Sequence, residues 1–270
     1  MLQMPVSTLY NSINYKAPFP YLFSKYIREY DIQKANISIL FSKGIINQAT
    51  YERLLYSSRE ERQIEIGLMI KHDKRISDEL KKGIIEAKRM LFEANELTDS
   101  DILTIKNDAV FVLEKKLKYT EFGLIKFVLK NEFTSYMSLD GGKIECYYSY
   151  DRINQKESYD IKGLGKAAIY HEPYLSDWIR FIFYEMESGR IESTIGNIYN
   201  FYLDYLTLQL DPGYYREFNS ESLYAINNSI YKIFSIPSRE DLRHVNIMYN
   251  LNIIRNIYQY ITNIYFMNKR

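Results

Sequence analysis

Apolar residues along this chain change their spacing near residue 101, and the change separates two kinds of predicted element. Over residues 48–97 they recur at three- to four-residue intervals, which is the period of an amphipathic helix. Ser77 is a suitable N-cap for the best defined of these helices, and the pattern ends near Asn95. The apolar face of this helix is formed by Leu80, Ile84, Ala87, Leu91 and Ala94.

Strand-like runs begin at Asp101. The runs DILTI and AVFVL flank Lys106–Asn107–Asp108 and predict a β-hairpin with Asp108 at its turn. The runs LIKFVLKNEFTSYMSL and KIECYYSY flank Asp140–Gly141–Gly142, which predicts a second hairpin. Beyond Pro173 the spacing becomes helical again and predicts helices to the end of the chain.

The order of these elements predicts an α+β protein with an antiparallel sheet and a helical C-terminal region. Residues 1–20 contain three prolines among polar residues, and we expect an extended lead-in there. Residues 21–165 are expected to form the sheet domain, with a helical insertion over 43–97. Residues 166–270 are expected to form the helical region.

Composition narrows the function classes only slightly. The net charge is +1, which argues mildly against a large nonspecific nucleic-acid binder but permits a locally basic groove. The single cysteine, Cys146, excludes an intramolecular disulfide and is typical of a reducing cytoplasm. We expect neither a signal peptide nor a membrane-spanning helix. Abundant Tyr, Ile, Asn and Lys are typical of an AT-rich coding sequence and hint at a phage or another AT-rich source.

The candidate chemistry depends on two aspartates at strand ends. Asp31 follows an apolar run and precedes a helix-like pattern, and Asp108 lies at the hairpin turn. Two carboxylates on adjacent strands can hold two divalent cations against a triphosphate, as phosphoryl transfer to a 3′ hydroxyl requires. Oxygen ligands of this kind suit Mg²⁺ or Mn²⁺. The helix after Asp31 would also direct free N–H groups at a phosphate. Taken singly, each aspartate is more typical of a solvated turn, and only the two together, in this order and with this flanking pattern, favour a metal site.

Four short segments, taken in order, resemble the palm of a family B DNA polymerase. DIQKANISIL (31–40) is similar to that family's D-x-x-S-L-Y-P-S-I-I motif, and IKNDA (105–109) to its Y-G-D-T-D-S hairpin. LKNEF (129–133) is similar to K-K-R-Y, and DIKGLG (160–165) to its I-K-G-L segment. The resemblance covers roughly residues 25–200. It implies a palm with an antiparallel sheet, a short fingers-like helical insertion and a thumb-like helical C-terminal region.

The resemblance also implies roles for particular residues. Asp31 and Asp108 become the catalytic, metal-binding pair. The nucleotide-binding set becomes Ile32, Gln33, Lys34, Ala35, Asn36, Arg59 and Arg62. The primer- or nucleic-acid-binding set becomes Lys130, Asn131, Lys162 and Gly163. Departures from the family pattern include Asn36 at the sugar-discriminating tyrosine and Lys106 at the first aspartate of D-T-D.

The resulting hypothesis is a nucleotidyltransferase that extends a nucleic-acid 3′ end from nucleoside triphosphates, alone or as a subunit of a split replicase. Its partners would be primer-template and nucleoside triphosphates, with proofreading supplied by a separate exonuclease chain, in the cytoplasm of the host. Two alternatives remain open. One is a catalytically degenerate palm that binds nucleic acid or a replication partner, and the other is a viral structural or assembly protein.

Overall fold

The computed structural model describes residues 6–163, 173–215, 217–226, 229–235, 239–240 and 248–269. It confirms the α+β class, with two antiparallel sheets of four or more strands and seven α-helices in this part of the chain. The chain divides into two compact units. The first unit comprises Met1–Pro18 with Tyr26–Glu132, and the second comprises Phe19–Lys25 with Phe133–Arg270.

The first unit is built on a six-stranded sheet in the order β1-β4-β5-β3-β7-β6. Its strands are β1 (Asn14–Tyr15), β3 (Ile27–Ile32), β4 (Ile102–Lys106), β5 (Ala109–Leu113), β6 (Glu121–Phe122) and β7 (Ile125–Phe133). The predicted hairpin around Asp108 is confirmed, because β4 and β5 pair antiparallel across Asn107–Asp108. Strand β5 also pairs antiparallel with β3, so it lies inside the sheet.

The lead-in expected over residues 1–20 is partly wrong. Asn14 and Tyr15 form β1 and pair with Lys106 and Ile105 of β4. Without β1, strand β4 would be an edge with unpaired backbone groups. Pairing with β4 therefore makes Asn14–Tyr15 the edge strand of the sheet.

Four helices of the first unit pack beside the sheet. They are α1 (Ala35–Ser42), α2 (Gln48–Tyr56), α3 (Arg59–His72) and α4 (Arg75–Ala94). Their apolar faces share one core with Tyr30, Ile32 and Val110 of the sheet. Helix α4 starts two residues before the predicted cap Ser77. The reason is that the side chain of Asp73 accepts a hydrogen bond from the backbone N–H of Arg75 and starts the helix there (3.0 Å).

The second unit contains a four-stranded sheet in the order β10-β9-β8-β2. Its strands are β2 (Tyr21–Leu22), β8 (Ser135–Leu139), β9 (Ile144–Asp151) and β10 (Lys156–Lys162). The predicted hairpin is confirmed, since β8 and β9 pair antiparallel across Asp140–Gly142. The sequence grouped these strands with the first sheet over 21–165, but they fold with the C-terminal part of the chain. The expected boundary after Gly165 lies outside the described residues.

Helices α5 (Pro173–Glu187), α6 (Ile191–Leu206) and α7 (Met248–Asn268) complete the second unit. Helix α5 buries Trp178, Ile179 and Ile182, as its spacing predicts. The expectation of helices throughout 166–270 is wrong, because β11 (Glu217–Ile226) and β12 (Ser229–Ser235) form an antiparallel pair. The sequence of β12 is rich in aromatic and β-branched residues, which favour strands.

Candidate active site

Strand β3 holds Asp31 beside the first unit's core. Tyr30 and Ile32 belong to that core, and side chains alternate along a strand, so Glu29 and Asp31 share the other face. Glu29 is buried, whereas the side chain of Asp31 is 25% exposed. Helix α1 begins four residues after Asp31. The strand-to-helix transition predicted at Asp31 is therefore present.

The turn between β4 and β5 presents Asp108. Asn107 adopts the left-handed conformation (φ 54°), which asparagine tolerates better than most residues, and this reverses the chain. The backbone N–H of Asn107 donates to the carbonyl of Ile13 (2.8 Å), so the segment before β1 holds the turn in place. Asp31 is paired with Ala109 across β3 and β5. This register brings Asp108, the residue before Ala109, beside Asp31.

The two carboxyl groups perturb one another. Burial, followed by the negative charge of Asp31, raises the pKa of Asp108 to about 6 from its ordinary 3.8. The positive charge of Lys130 acts in the opposite direction. The side chains are close enough for a hydrogen bond between them when one is protonated. Like charges at this separation are unfavourable unless a proton or a cation lies between them.

The donor set fits a cation held by few protein ligands. Oδ1 of Asp31 is buried and accepts no hydrogen bond from any described residue while Asp108 is ionised. Mg²⁺ typically takes one or two carboxylates and completes its shell with water and substrate phosphate. Within the described residues, His, Cys, Asp and Glu form no group of three or more that could hold a metal. Among the described residues, Asp31 and Asp108 are therefore the two carboxylates that line the cleft.

Lys130 of β7 lies against the acidic face of β3. Its Nζ is 3.4 Å from Oδ2 of Asp31 and 3.5 Å from Oε1 of Glu29. Asn131 donates from Nδ2 to Oε2 of Glu29 at 2.6 Å. The ammonium group of Lys130 thus places a positive charge next to Asp31. The hydrogen bond between Asn131 and Glu29 holds β7, which carries Lys130, against β3.

Lys88 provides a second positive charge near Asp108. It lies on α4, its side chain is buried, and its ammonium donates to the carbonyl of Ser12. Burial lowers the pKa of Lys88 to about 8, and the negative charge of Asp108 partly opposes that shift. Ser12 precedes Ile13, whose carbonyl holds the Asn107 turn. Lys88 therefore supports the same turn that presents Asp108.

A cleft of about 590 Å³ opens over the aspartates within the first unit. Besides Asp31 and Asp108 it is lined by five basic residues, namely Lys34, Arg59, Arg62, Lys81 and Lys130. Ala35, Asn36 and Ile37, the first residues of α1, also line it. The N–H groups of a first helical turn have no partner within the helix and attract anions. The cleft thus combines two carboxylates with a mainly positive wall.

Helix α3 supplies Arg59 and Arg62 from one face, because residues three apart lie together on a helix. A capping box between Ser58 and Glu61 starts the helix at this point. The guanidinium of Arg62 donates to the carbonyl of Ser57, while Lys34 donates from Nζ to the carbonyl of Leu55 (2.6 Å). Arg62 and Lys34 are thus anchored at one end of the cleft.

Most of the expected nucleotide-binding residues line this cleft. Ile32, Lys34, Ala35, Asn36, Arg59 and Arg62 do so. Gln33 does not, and its backbone N–H instead donates to the carbonyl of Lys126 on β7. Of the expected primer-binding residues, Lys130 lines the cleft, while Asn131 is turned toward Glu29.

Lys162 and Gly163 lie in the second unit. Nζ of Lys162 is 2.5 Å from Oδ2 of Asp160. Gly163 has φ +86°, and a Cβ at this position would lie 1.8 Å from the carbonyl oxygen of Lys143. Glycine is therefore required at 163 by packing alone.

Sequence reasoning missed three residues of this region: Glu29, Lys81 and Lys88. The signal for Lys88 was present, because it lies on the apolar face of α4, four residues after Ile84 and three before Leu91. A single charge on a buried stripe indicates a specific partner. Lys81 carried no such signal, since exposed lysines are common on helices.

No helix within the described parts of the chain is both long and apolar enough to cross a membrane. No curated protein matches the sequence. The sequence model of one protein family, the bacteriophage PBS1 gene 130 protein, matches residues 4–263. Its description supports the phage origin expected from composition and names no activity. With nearly its whole length matched, the chain belongs to the bacteriophage PBS1 gene 130 protein family.

Proposed function

We propose that this phage protein is a nucleotidyltransferase with a DNA polymerase-like core, which extends a nucleic-acid 3′ end from nucleoside triphosphates, alone or as a subunit of a split replicase. One observation carries the proposal: Asp31 on β3 and Asp108 in the turn before β5 lie side by side and line a cleft together with five basic side chains. A carboxylate pair under a cationic wall matches the charge distribution of a triphosphate bound together with a divalent cation.

The residues of the cleft take distinct parts in this chemistry. Asp31 and Asp108 would hold Mg²⁺ or Mn²⁺. The bound ion would stabilise negative charge on the phosphates and favour ionisation of the attacking hydroxyl. Arg59 and Arg62 offset phosphate charge from the α3 side, and the first turn of α1 offers N–H donors to the same anion. Lys130 limits the repulsion between Asp31 and an incoming phosphate.

Metal-dependent nucleotide binding tests the proposal without requiring a partner subunit. Calorimetry should show a nucleoside triphosphate binding in the presence of Mg²⁺ and not in EDTA. Asp31→Ala and Asp108→Ala should each abolish this metal dependence, while Asp99→Ala, an exposed aspartate outside the cleft, should retain it. Primer extension with deoxy- and ribonucleotides in parallel would then define the sugar. Extension or metal-dependent binding that survives both cleft substitutions would refute the metal assignment.

A catalytically degenerate palm is the second candidate, and the position of Lys130 favours it. Its ammonium lies 3.4 Å from Asp31, where it partly supplies the charge that a second cation would bring. Such a protein would bind nucleic acid or a replication partner and show no Mg²⁺-dependent nucleotide binding. The same calorimetry therefore separates the two candidates. The structural or assembly alternative would instead place the protein in purified virions.

A further inference from the structure

A rigid basic loop lies at the far end of β5 from Asp108. It spans residues 115–119 and contains three lysines and a tyrosine. Five strand residues separate it from Asp108, a distance of about 17 Å at the usual rise of a strand. The loop borders a separate concavity of about 380 Å³, which includes Asn95 and Glu96 at the end of α4. The loop is therefore distinct from the candidate active site.

The loop backbone is held from both sides. The N–H of Leu117 donates to the hydroxyl of Tyr30 (2.9 Å), and the Leu117 side chain packs into the first unit's core. Oδ1 of Asn95 accepts hydrogen bonds from the N–H groups of Lys118 and Tyr119 (2.9 and 3.1 Å), while its Nδ2 donates to the carbonyl of Tyr119 (2.7 Å). A loop fixed in this way loses little conformational entropy on binding.

The side chains of this loop extend into solvent. Lys115 is paired with Asp101 at 2.9 Å, but neither Lys116 nor Lys118 forms an ion pair with any described residue. The tyrosine at 119 is 61% exposed, which is unusual for a large aromatic ring next to lysines. Two ammonium groups that form no ion pair with a described residue, together with an exposed ring, match the two features of single-stranded nucleic acid, its phosphates and its bases.

Glu96 makes the concavity more selective for nucleic acid over other anions than a purely cationic patch would be. Its backbone adopts φ 49°, and it lines the same concavity as the lysines. A carboxylate repels phosphate but accepts hydrogen bonds from the exocyclic amine of a base. It would also disfavour an acidic protein as the partner, because the two sets of carboxylates would repel one another.

We propose that the 115–119 loop is a binding site for single-stranded nucleic acid, with Lys116 and Lys118 on phosphates and Tyr119 stacked on a base. This inference rests on the proposed function only in taking nucleic acid as the partner. It does not require catalysis, a metal or a nucleotide, so the two proposals can fail separately.

Fluorescence anisotropy with short oligodeoxycytidylate and oligocytidylate, whose bases carry an exocyclic amine, tests the site in EDTA and without nucleotides. The double variant Lys116→Ala/Lys118→Ala should reduce the slope of log affinity against log salt by about 1.4, since each single-strand phosphate contact contributes roughly 0.7. The matched control Lys16→Ala/Lys74→Ala removes the same charge from exposed positions outside the loop and should leave the slope unchanged. The two oligonucleotides distinguish DNA from RNA as the natural strand.

The ring is tested by a second pair of variants. Tyr119→Ala should weaken binding by roughly 5- to 150-fold, the range found for loss of one stacked base, whereas Tyr119→Phe should bind like the wild type. The inference is overturned if the wild type binds neither oligonucleotide, or if the loop variants keep the wild-type affinity and salt slope. A wild type that shows both loop effects but no Mg²⁺-dependent nucleotide binding would refute the proposed function and leave this site standing.

Discussion

Replacement of Asp108 by asparagine should make the metal-free protein more stable. The pKa of Asp108 is raised from 3.8 to about 6, because the carboxylate is buried and lies beside Asp31. Each pH unit of difference corresponds to about 1.4 kcal/mol, so ionised Asp108 destabilises the folded protein by roughly 3 kcal/mol near pH 7. The favourable charge of Lys130 is already included in that pKa. Asparagine has nearly the same shape and carries no charge.

The pH dependence gives the sign of the effect. Between about pH 4 and 6 the folded protein retains a proton on Asp108 that the unfolded chain has released, so this contribution to stability is lost as pH rises through that window. The asparagine variant does not lose this stability, because its side chain has no proton to release. Its advantage over the wild type should therefore approach 3 kcal/mol near neutral pH and vanish below about pH 4. In a protein of this size it corresponds to a rise in Tm of roughly 6–12 °C.

Urea unfolding in EDTA at neutral and acidic pH measures this difference directly. Asp99→Asn, at an exposed position, is the matched control and should change stability by less than about 0.5 kcal/mol. Mg²⁺ should then raise the Tm of the wild type and not that of Asp108→Asn, because a ligand stabilises only the protein that binds it. A destabilised Asp108→Asn variant at neutral pH, or an advantage that persists in acid, would show that ionised Asp108 does not destabilise the folded protein.

Three further predictions concern packing and buried charge. The pKa of Lys88 is lowered to about 8, so above this pH the unfolded chain binds more protons than the folded protein, and stability rises with pH. In urea unfolding, the free energy of unfolding of the wild type should therefore rise by roughly 2 kcal/mol relative to that of Lys88→Met between about pH 8 and 9.5. Gly83→Ala should destabilise the first unit by about 1–2 kcal/mol, because the new Cβ would lie 2.2 Å from Cγ2 of Ile39. In a double-mutant cycle, truncation of Ile39 should remove most of this loss of stability. Ile182→Ala should cost about 2–5 kcal/mol by leaving a cavity in the second unit, visible as a lower unfolding midpoint, and a change under about 0.5 kcal/mol would contradict its burial.

Features set by local chemistry were predictable from the sequence. The apolar spacing of α4 identified its buried face, and Asp140–Gly141–Gly142 located the turn between β8 and β9. The strand and helix around Asp31 also follow from local periodicity. In each case the residues that determine the element are neighbours in the chain, so no long-range contact is needed to recognise it.

Features set by strand pairing were not predictable in the same way. The β1 segment has only two residues, and what makes it a strand is the unpaired edge of β4. The second hairpin resembles the first in sequence but packs with the C-terminal helices, because each sheet buries its apolar face against different partners. Neither choice is encoded in the local pattern of either strand.

The pairing of Asp31 with Asp108 depends on a single register. These residues are 77 positions apart in the chain, and they meet because β5 lies between β4 and β3 with Ala109 opposite Asp31. A shift of one residue would turn one of the side chains to the other face of the sheet. A solvated turn would not need this arrangement, nor the lysines that approach it from β7 and α4. A buried carboxylate pair that costs stability is more typical of a functional site than of a structural turn, while Lys130, 3.4 Å from Asp31, and Lys88, buried near Asp108, offset part of its negative charge.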